Sequence, residues 1–277
     1  MLTGVADGFL TLHVPGRPLL QPNAWDAGSA RVLESLGFTA IATTSSGFAA
    51  TLGRPDGSVS RDEALAHGRD LAAAVDIPVA ADTENGFADD PAGVAETVRL
   101  AARTGLAGCS IEDYSRDREQ VYDRGLAVER IVAAAEAAHA GPRQLVLTAR
   151  AENLLYGGDL RDTVSRLQAY QEAGADVLFA PGLRSADDIR TVVSAVDRPV
   201  NVLVVPGCPP VAELAELGAA RISVGGSFTW AAYGALVEAA TELRDRGSYG
   251  YGERAAVTRP AVSSALSRRS AGGPGSA

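Results

Sequence analysis

The sequence predicts an α/β fold, a closed (β/α)8 or TIM barrel. Three observations carry this: eight short apolar runs rich in β-branched residues, a helical pattern after each, and a length of 277 residues, close to the ~250 typical of such barrels. An open doubly wound sheet is the competing arrangement. It calls for fewer strands and a glycine-rich phosphate loop after the first, and the sequence has neither.

In chain order, the strand in "LLQPNAW" leads to the helix "DAGSARVLESLG", and "FTAIATTS" is followed by "RDEALAHGRDLAAAV". The third and fourth units are "IPVAADTE" with "DPAGVAETVRLAARTG" and "LAGCSIED" with "LAVERIVAAAEAAHA". The fifth and sixth are "QLVLTARAE" with "DLRDTVSRLQAYQEAG" and "ADVLFAPG" with "SADDIRTVVSAV". "PVNVLVVPG" with "PPVAELAELG" and "AARISVGG" with "SFTWAAYGALVEAATELRDRG" complete the set. Several helices end in glycine, which suits a left-handed cap before the next strand. No linker interrupts the series, so residues 1–251 are read as one barrel domain. Residues 252–277 are read as a tail, with a short helix at "PAVSSALSRR" (Pro260–Arg269) and disorder beyond it.

Composition removes several chemistries. Hydrophobic content of 46% with 21% charged residues is that of a globular protein, and no apolar run reaches the roughly 20 residues of a membrane span. The N-terminal stretch has neither a basic leader nor a small-residue cleavage site, and the two cysteines lack metal-like spacing; a reduced, cytoplasmic protein is expected. A net charge of -9 argues against nucleic acid as partner. All 25 basic residues are arginine. Without a lysine amine, Schiff-base, pyridoxal-phosphate and P-loop chemistries are excluded. Three histidines, His13, His67 and His139, are too few and too scattered for a histidine-rich zinc site.

The chemistry therefore falls to carboxylates, arginine, hydroxyls and a metal. Barrel sites gather at the C-terminal ends of the strands. There the third strand ends with Asp82 and Glu84 together on one face, and the fourth with Glu112 and Asp113 on opposite faces. The fifth gives Thr148, Arg150 and Glu152 one parity, and the seventh offers Asn201. Carboxylates gathered in one pocket repel unless neutralised. A Mg2+ ion, with Mn2+ as the alternative, does this with few protein ligands and several waters. Arg150 could instead pair with a carboxylate or with an anionic substrate. The bland alternative is a set of solvated strand ends.

From about Pro22 to about Ala240 the chain resembles the isocitrate lyase / phosphoenolpyruvate mutase superfamily. The likeness rests on "PNAWDAGSARVLESLGFTAIATTSSGFAATLGRPDG", "ADTENGF", "GCSIED" and "TARAE". The resemblance implies a Mg2+-dependent barrel acting on a small anionic oxo or hydroxy acid through an enolate intermediate. It implies Asp82, Glu84 and Glu112 as metal ligands, direct or through water. Ser45, Ser46 and Gly47, with Arg150 and Asn201, would hold substrate. Arg150 and Glu112 would act in catalysis. Where the family uses a loop cysteine as acid/base, the candidates to supply a proton here are Tyr114, Asp113 or Tyr122, the alternative being that each is simply a loop residue. It also implies a homo-oligomer, dimer or tetramer, with a swapped C-terminal helix.

The departures are specific. The lyase loop K-K/R-C-G-H is replaced by "YSRDREQVYDRG", which lacks lysine, cysteine and histidine, and Glu84 stands where the family has aspartate. "FAPG" replaces F-P-E, with Gly182 near the missing glutamate. Three readings follow: a C–C lyase or decarboxylase acting on a small oxo- or hydroxy-dicarboxylate; C–P chemistry of the mutase or phosphonopyruvate hydrolase kind; and a metabolite-binding barrel without efficient catalysis.

Overall fold

The first barrel strand is broken, and the break closes the barrel. In a computed structural model that describes residues 5–141 and 144–267, this strand consists of β1 (Leu19–Gln21) and β2 (Asn23–Ala24). Between them stands Pro22, which has no N–H to give a ladder. β1 pairs with the last strand, Leu19 opposite Arg221, while β2 pairs with the second, Asn23 opposite Ala42. The sheet ends thus belong to one continuous segment.

Before them lies α1 (Val5–Leu10); after them come α2 (Ala27–Ser35), β3 (Ile41–Thr43), α3 (Ser45–Thr51), α4 (Arg61–Ala74), β4 (Val79–Asp82), α5 (Pro91–Ala101) and β5 (Gly108–Glu112). A small antiparallel hairpin, β6 (Tyr114–Ser115) with β7 (Gln120–Val121), precedes α6 (Arg124–His139). The chain continues with β8 (Val146–Arg150), α7 (Leu160–Glu172), β9 (Val177–Phe179), α8 (Ala186–Ala195), β10 (Val200–Leu203), α9 (Val211–Glu216) and β11 (Arg221–Ser223). It closes with α10 (Ser227–Arg246) and α11 (Tyr251–Ser267). The sheet order β1-β11-β10-β9-β8-β5-β4-β3-β2 is parallel throughout, the (β/α)8 barrel that the sequence predicts.

Helix starts follow from side-chain caps. Asp26 and Ser60 form reciprocal capping boxes with Ser29 and Glu63, and Asp90 caps α5 ahead of Pro91. The main apolar core lies between strands and helices and includes Ile111, Leu147, Leu178 and Val202. A smaller cluster fills the lower barrel, where Phe9 of α1 packs with Leu19, Ala80, Val146 and Val177. Gly108 makes room for this plug: a Cβ there would lie 2.7 Å from the Val146 carbonyl oxygen and 3.1 Å from the Phe9 ring.

α1, α3 and the hairpin were not foreseen from the sequence, being too short for a periodic signal. The C-terminal helix α11 is longer than the segment read from the sequence and packs on α2 of the same chain; Arg268, Arg269 and the tail end expected to be disordered lie outside the described residues. α10 leaves Trp230, Leu236, Val237 and Leu243 exposed. No described helix is long and apolar enough to cross a membrane.

Candidate active site

A cavity of about 190 Å³ enters the barrel at the C-terminal ends of the strands. Its mouth is lined by Ser45, Ser46, Asp56, Asp82, Arg116 and Arg150, and its depth by Thr148, Asn201 and Arg221. Small side chains on the strands, Ala42, Ala80, Ala81 and Ser110, leave this space open.

Arg150, the last residue of β8, organises the mouth. Its Nη1 donates to Asp82 Oδ1 at 3.0 Å, its Nη2 meets Glu112 Oε2 at 3.1 Å, and its Nε donates to Glu152 Oε1 at 2.9 Å. The guanidinium lies 5.2 Å from the Phe179 ring centroid. Three carboxylates from successive strand ends thus converge on one cation. Burial pushes the Glu112 and Glu152 carboxyls above the usual range, with Arg150 opposing the rise. The reciprocal effect of these carboxylates holds Arg150 firmly protonated against its own burial.

Asp82 and Glu84 do not share a strand face, and the parity reading is corrected here. β4 stops at Asp82, and Glu84 adopts a left-handed conformation, φ 47°. The backbone turns through Gly86 and Phe87, also at positive φ, and the Glu84 N–H points back at Asp82 Oδ1. Asp82 stays on the cavity, whereas Glu84 lines an adjoining groove and pairs with Arg116 Nε at 3.1 Å. Burial and the Asp82 charge raise the Glu84 pKa to about 7.

Two mouth residues were not singled out from the sequence. Arg116, from the divergent loop after β5, bridges Glu84 to Asp56 Oδ2 at 3.0 Å. Asp56 sits in the "RPDG" turn after α3 and lines the cavity. The turn pattern marked a loop but carried no sign of where that loop folds. Arg116 stood in a loop remarkable only for what it lacked.

The other sequence candidates divide. Ser45 and Ser46 line the cavity; the Ser45 N–H lies 3.4 Å from Asp82 Oδ2, and Ser46 Oγ is 3.2 Å from Thr44 Oγ1. Gly47 sits behind them, its N–H directed to the Thr44 cap, and a side chain there would collide with Thr229 and Thr44. Asn201 lines the cavity lower down and donates to Ser223 Oγ at 2.9 Å. Tyr114 is away from the cavity, buried and stacked on Tyr156 with ring centroids 3.7 Å apart. Asp113 faces the outer helices, bound by Arg166 and by the Tyr170 hydroxyl at 2.5 Å. Tyr122 donates to Asp89 Oδ1 at 2.5 Å.

Among the described residues no group of three or more His, Cys, Asp or Glu forms a preformed metal cage. Mg2+ needs none, since it is held by one or two carboxylates with waters and substrate oxygens. Asp56, Asp82, Glu112 and Glu152 at the mouth, with Glu84 in the adjoining groove, set five carboxyl groups against the Arg116 and Arg150 guanidiniums. This shortage of positive charge and the cavity-lining Asp82 fit a hard cation.

A family model described as phosphoenolpyruvate phosphomutase matches residues 9–244. The chain belongs to this family. Within the wider isocitrate lyase / phosphoenolpyruvate mutase superfamily, a solved structure from Burkholderia cenocepacia J2315, described only as a lyase/mutase, superposes with a TM-score of 0.92. It is 48% identical and the match covers 97% of this chain and 98% of that one. An uncharacterized protein of Mycobacterium tuberculosis is 37% identical over 220 residues, 78% of this chain and 81% of its own length. The structure of 2,3-dimethylmalate lyase matches at TM-score 0.81 with 30% identity, covering 89% of both chains. Enzymes named 2-methylisocitrate lyase and oxaloacetate acetylhydrolase are similar to the chain as well.

Proposed function

We propose that this protein cleaves a C–C bond in a small oxo- or hydroxy-dicarboxylate, as a lyase or decarboxylase. The observation that carries the reading is the mouth itself, where Asp82 and Arg150 line one cavity with Ser45 and Ser46. The names of the relatives, lyases of methylisocitrate and dimethylmalate, support a small organic acid as substrate.

Breaking such a bond leaves an electron pair on carbon that must be delocalised onto oxygen as an enolate. Asp82, with Glu112 behind it, would hold Mg2+, which supplies positive charge to that oxygen when bound. Arg150 fixes the position of both carboxylates through its own ion pairs. Burial raises the Glu112 carboxyl and the Arg150 charge opposes that rise, so the arginine helps keep Glu112 available as a ligand. Ser45 and Ser46 offer donors to a substrate carboxylate, and Arg116 brings a second cation to the mouth from the loop. The apolar α10 side chains support assembly into a homo-oligomer.

The C–P reading is favoured by one observation, the description of the matching family model. Purified protein with Mg2+, incubated separately with oxaloacetate, alkylmalates and phosphonopyruvate, separates the readings. Pyruvate from the first two supports the lyase. Pyruvate from phosphonopyruvate alone, or its conversion to phosphoenolpyruvate by phosphorus NMR, replaces it with C–P chemistry. Metal-dependent ligand binding without turnover on the panel would leave a binding barrel. Asp82→Asn, nearly isosteric, is expected to lower kcat/KM about a hundredfold or more. Unchanged turnover would remove Asp82 from the chemistry.

A further inference from the structure

The depth of the cavity is built around a charge with no counter-charge. Arg221, the first residue of β11, is 5% exposed. Its Nη2 donates to Thr148 Oγ1 at 3.1 Å, two residues before Arg150 on β8, and its Nη1 meets His13 Nε2 at 3.3 Å.

The His13 tautomer is set by its neighbours. Nδ1 lies 3.1 Å from the Phe9 carbonyl oxygen and 3.2 Å from that of Leu10, and both can only accept. Nδ1 therefore carries the hydrogen and Nε2 accepts from Arg221. A second proton would set an N–H against the guanidinium. Burial and Arg221 accordingly pull the His13 pKa down to about 3, so the ring is neutral at pH 7.

Thr148 is neutral too. Among the described residues no carboxylate lies within ion-pair distance of Arg221, and its Nε has no hydrogen-bond partner. Burial and the nearby Arg150 lower the Arg221 pKa to about 9, which leaves it charged at neutral pH. Beside it Asn201 is 1% exposed, and its Oδ1 has no partner. Turning that amide over lets the Ser223 hydroxyl donate to Oδ1 and frees Nδ2 for the cavity.

A buried cation without a partner is strongly unfavourable, and an uncharged side chain of similar length would fill the same space. Both Arg221 and Asn201 line the cavity. We propose that the floor of the barrel is an anion subsite, in which the Arg221 guanidinium and the Asn201 amide hold one small anionic group, either a carboxylate arm of the ligand or a free halide. The subsite needs no turnover, so it stands or falls independently of the lyase reading.

Crystals of the full chain soaked in sodium bromide test it directly. Anomalous scattering is expected to place bromide against the Arg221 guanidinium. Malonate added to the soak separates the sources: a carboxylate oxygen replacing bromide assigns the subsite to a ligand arm, and bromide retained beneath malonate assigns it to a free halide. Density at exposed arginines alone, with neither ion at Arg221, overturns the proposal. In solution, chloride NMR line broadening should saturate with the wild-type protein. Arg221→Met should weaken that binding at least about tenfold, and broadening unchanged in a folded variant would also overturn it.

Discussion

Arg150 and Arg221 lie close together in one barrel and stand in opposite electrostatic conditions. Arg150, at the mouth, is shared by Asp82, Glu112 and Glu152. Arg221, at the floor, hydrogen-bonds the neutral His13 and Thr148 and meets no carboxylate among the described residues. The mouth is short of positive charge and the floor is short of negative charge. A cavity polarised in this way favours a cation near its entrance and an anion beneath it. It also lets an anionic ligand pass a mouth that would repel it unless a cation neutralises that mouth first.

The largest expected effect breaks this contrast by removing each arginine in turn. Arg150→Met strands three carboxylates, of which Glu112 and Glu152 are already disfavoured by burial, and losing one partner of a buried ion pair costs about 3–5 kcal/mol. Urea denaturation at pH 7 should show a loss of that size, shrinking at acid pH as the carboxylates take up protons. Arg221→Met removes a charge that no carboxylate balances, so its cost should stay under about 1 kcal/mol in anion-free buffer. Equal losses in the two variants would erase the distinction between mouth and floor.

The sequence shows the mouth better than the floor. Asp82, Glu112 and Arg150 are readable because they end consecutive strands, and strand ends at this face are where barrel chemistry collects. Glu84 misleads for a local reason. Parity holds only while the strand lasts, and this one stops at Asp82 and turns through left-handed residues. Arg116 and Asp56 meet only because two loops fold over the same opening, and nothing local records that meeting. Arg221 lies inside an ordinary strand, "ARIS", where one arginine among apolar residues reads as an outward-facing charge. Its inward direction depends on closure through β1, and Pro22 divides the very strand that makes this closure.

Acid sharpens the account of the floor. The His13 pKa in the folded protein, about 3, lies below the ordinary histidine value of 6.5. Between those values the unfolded chain binds the extra proton, so the His13 contribution to stability is complete above about pH 6.5 and is lost as pH falls toward 3. From pH 7 to pH 5 it amounts to about 2 kcal/mol. His13→Gln keeps a donor for the Phe9 carbonyl and an acceptor for Arg221 but does not titrate. The variant should lose about 2 kcal/mol less than wild type over that interval. Parallel stability–pH curves would mean that His13 is protonated in the folded protein and that Arg221 faces another charge.

The smallest effect on stability, and the finest division within the mouth, concerns Arg116. Its side chain is 35% exposed, against 15% for Arg150, so solvent screens its pairs with Glu84 and Asp56. Exposed pairs contribute about 1 kcal/mol or less. Glu84 is already raised to about 7, and Arg116 is one of the groups that restrain it. Without that arginine Glu84 can take up a proton and relieve the repulsion with Asp82. Arg116→Met should therefore cost less than about 1 kcal/mol in urea denaturation. The same variant should raise KM for an oxo-dicarboxylate about tenfold with kcat nearly unchanged, because Arg116 lines the cavity and touches neither Asp82 nor Arg150. Arg116→Lys should restore most of the KM by returning the charge. A stability loss matching that of Arg150→Met would instead make the loop arginine a brace of the fold, and the mouth would then have two structural cations and no wall contributed by the loop.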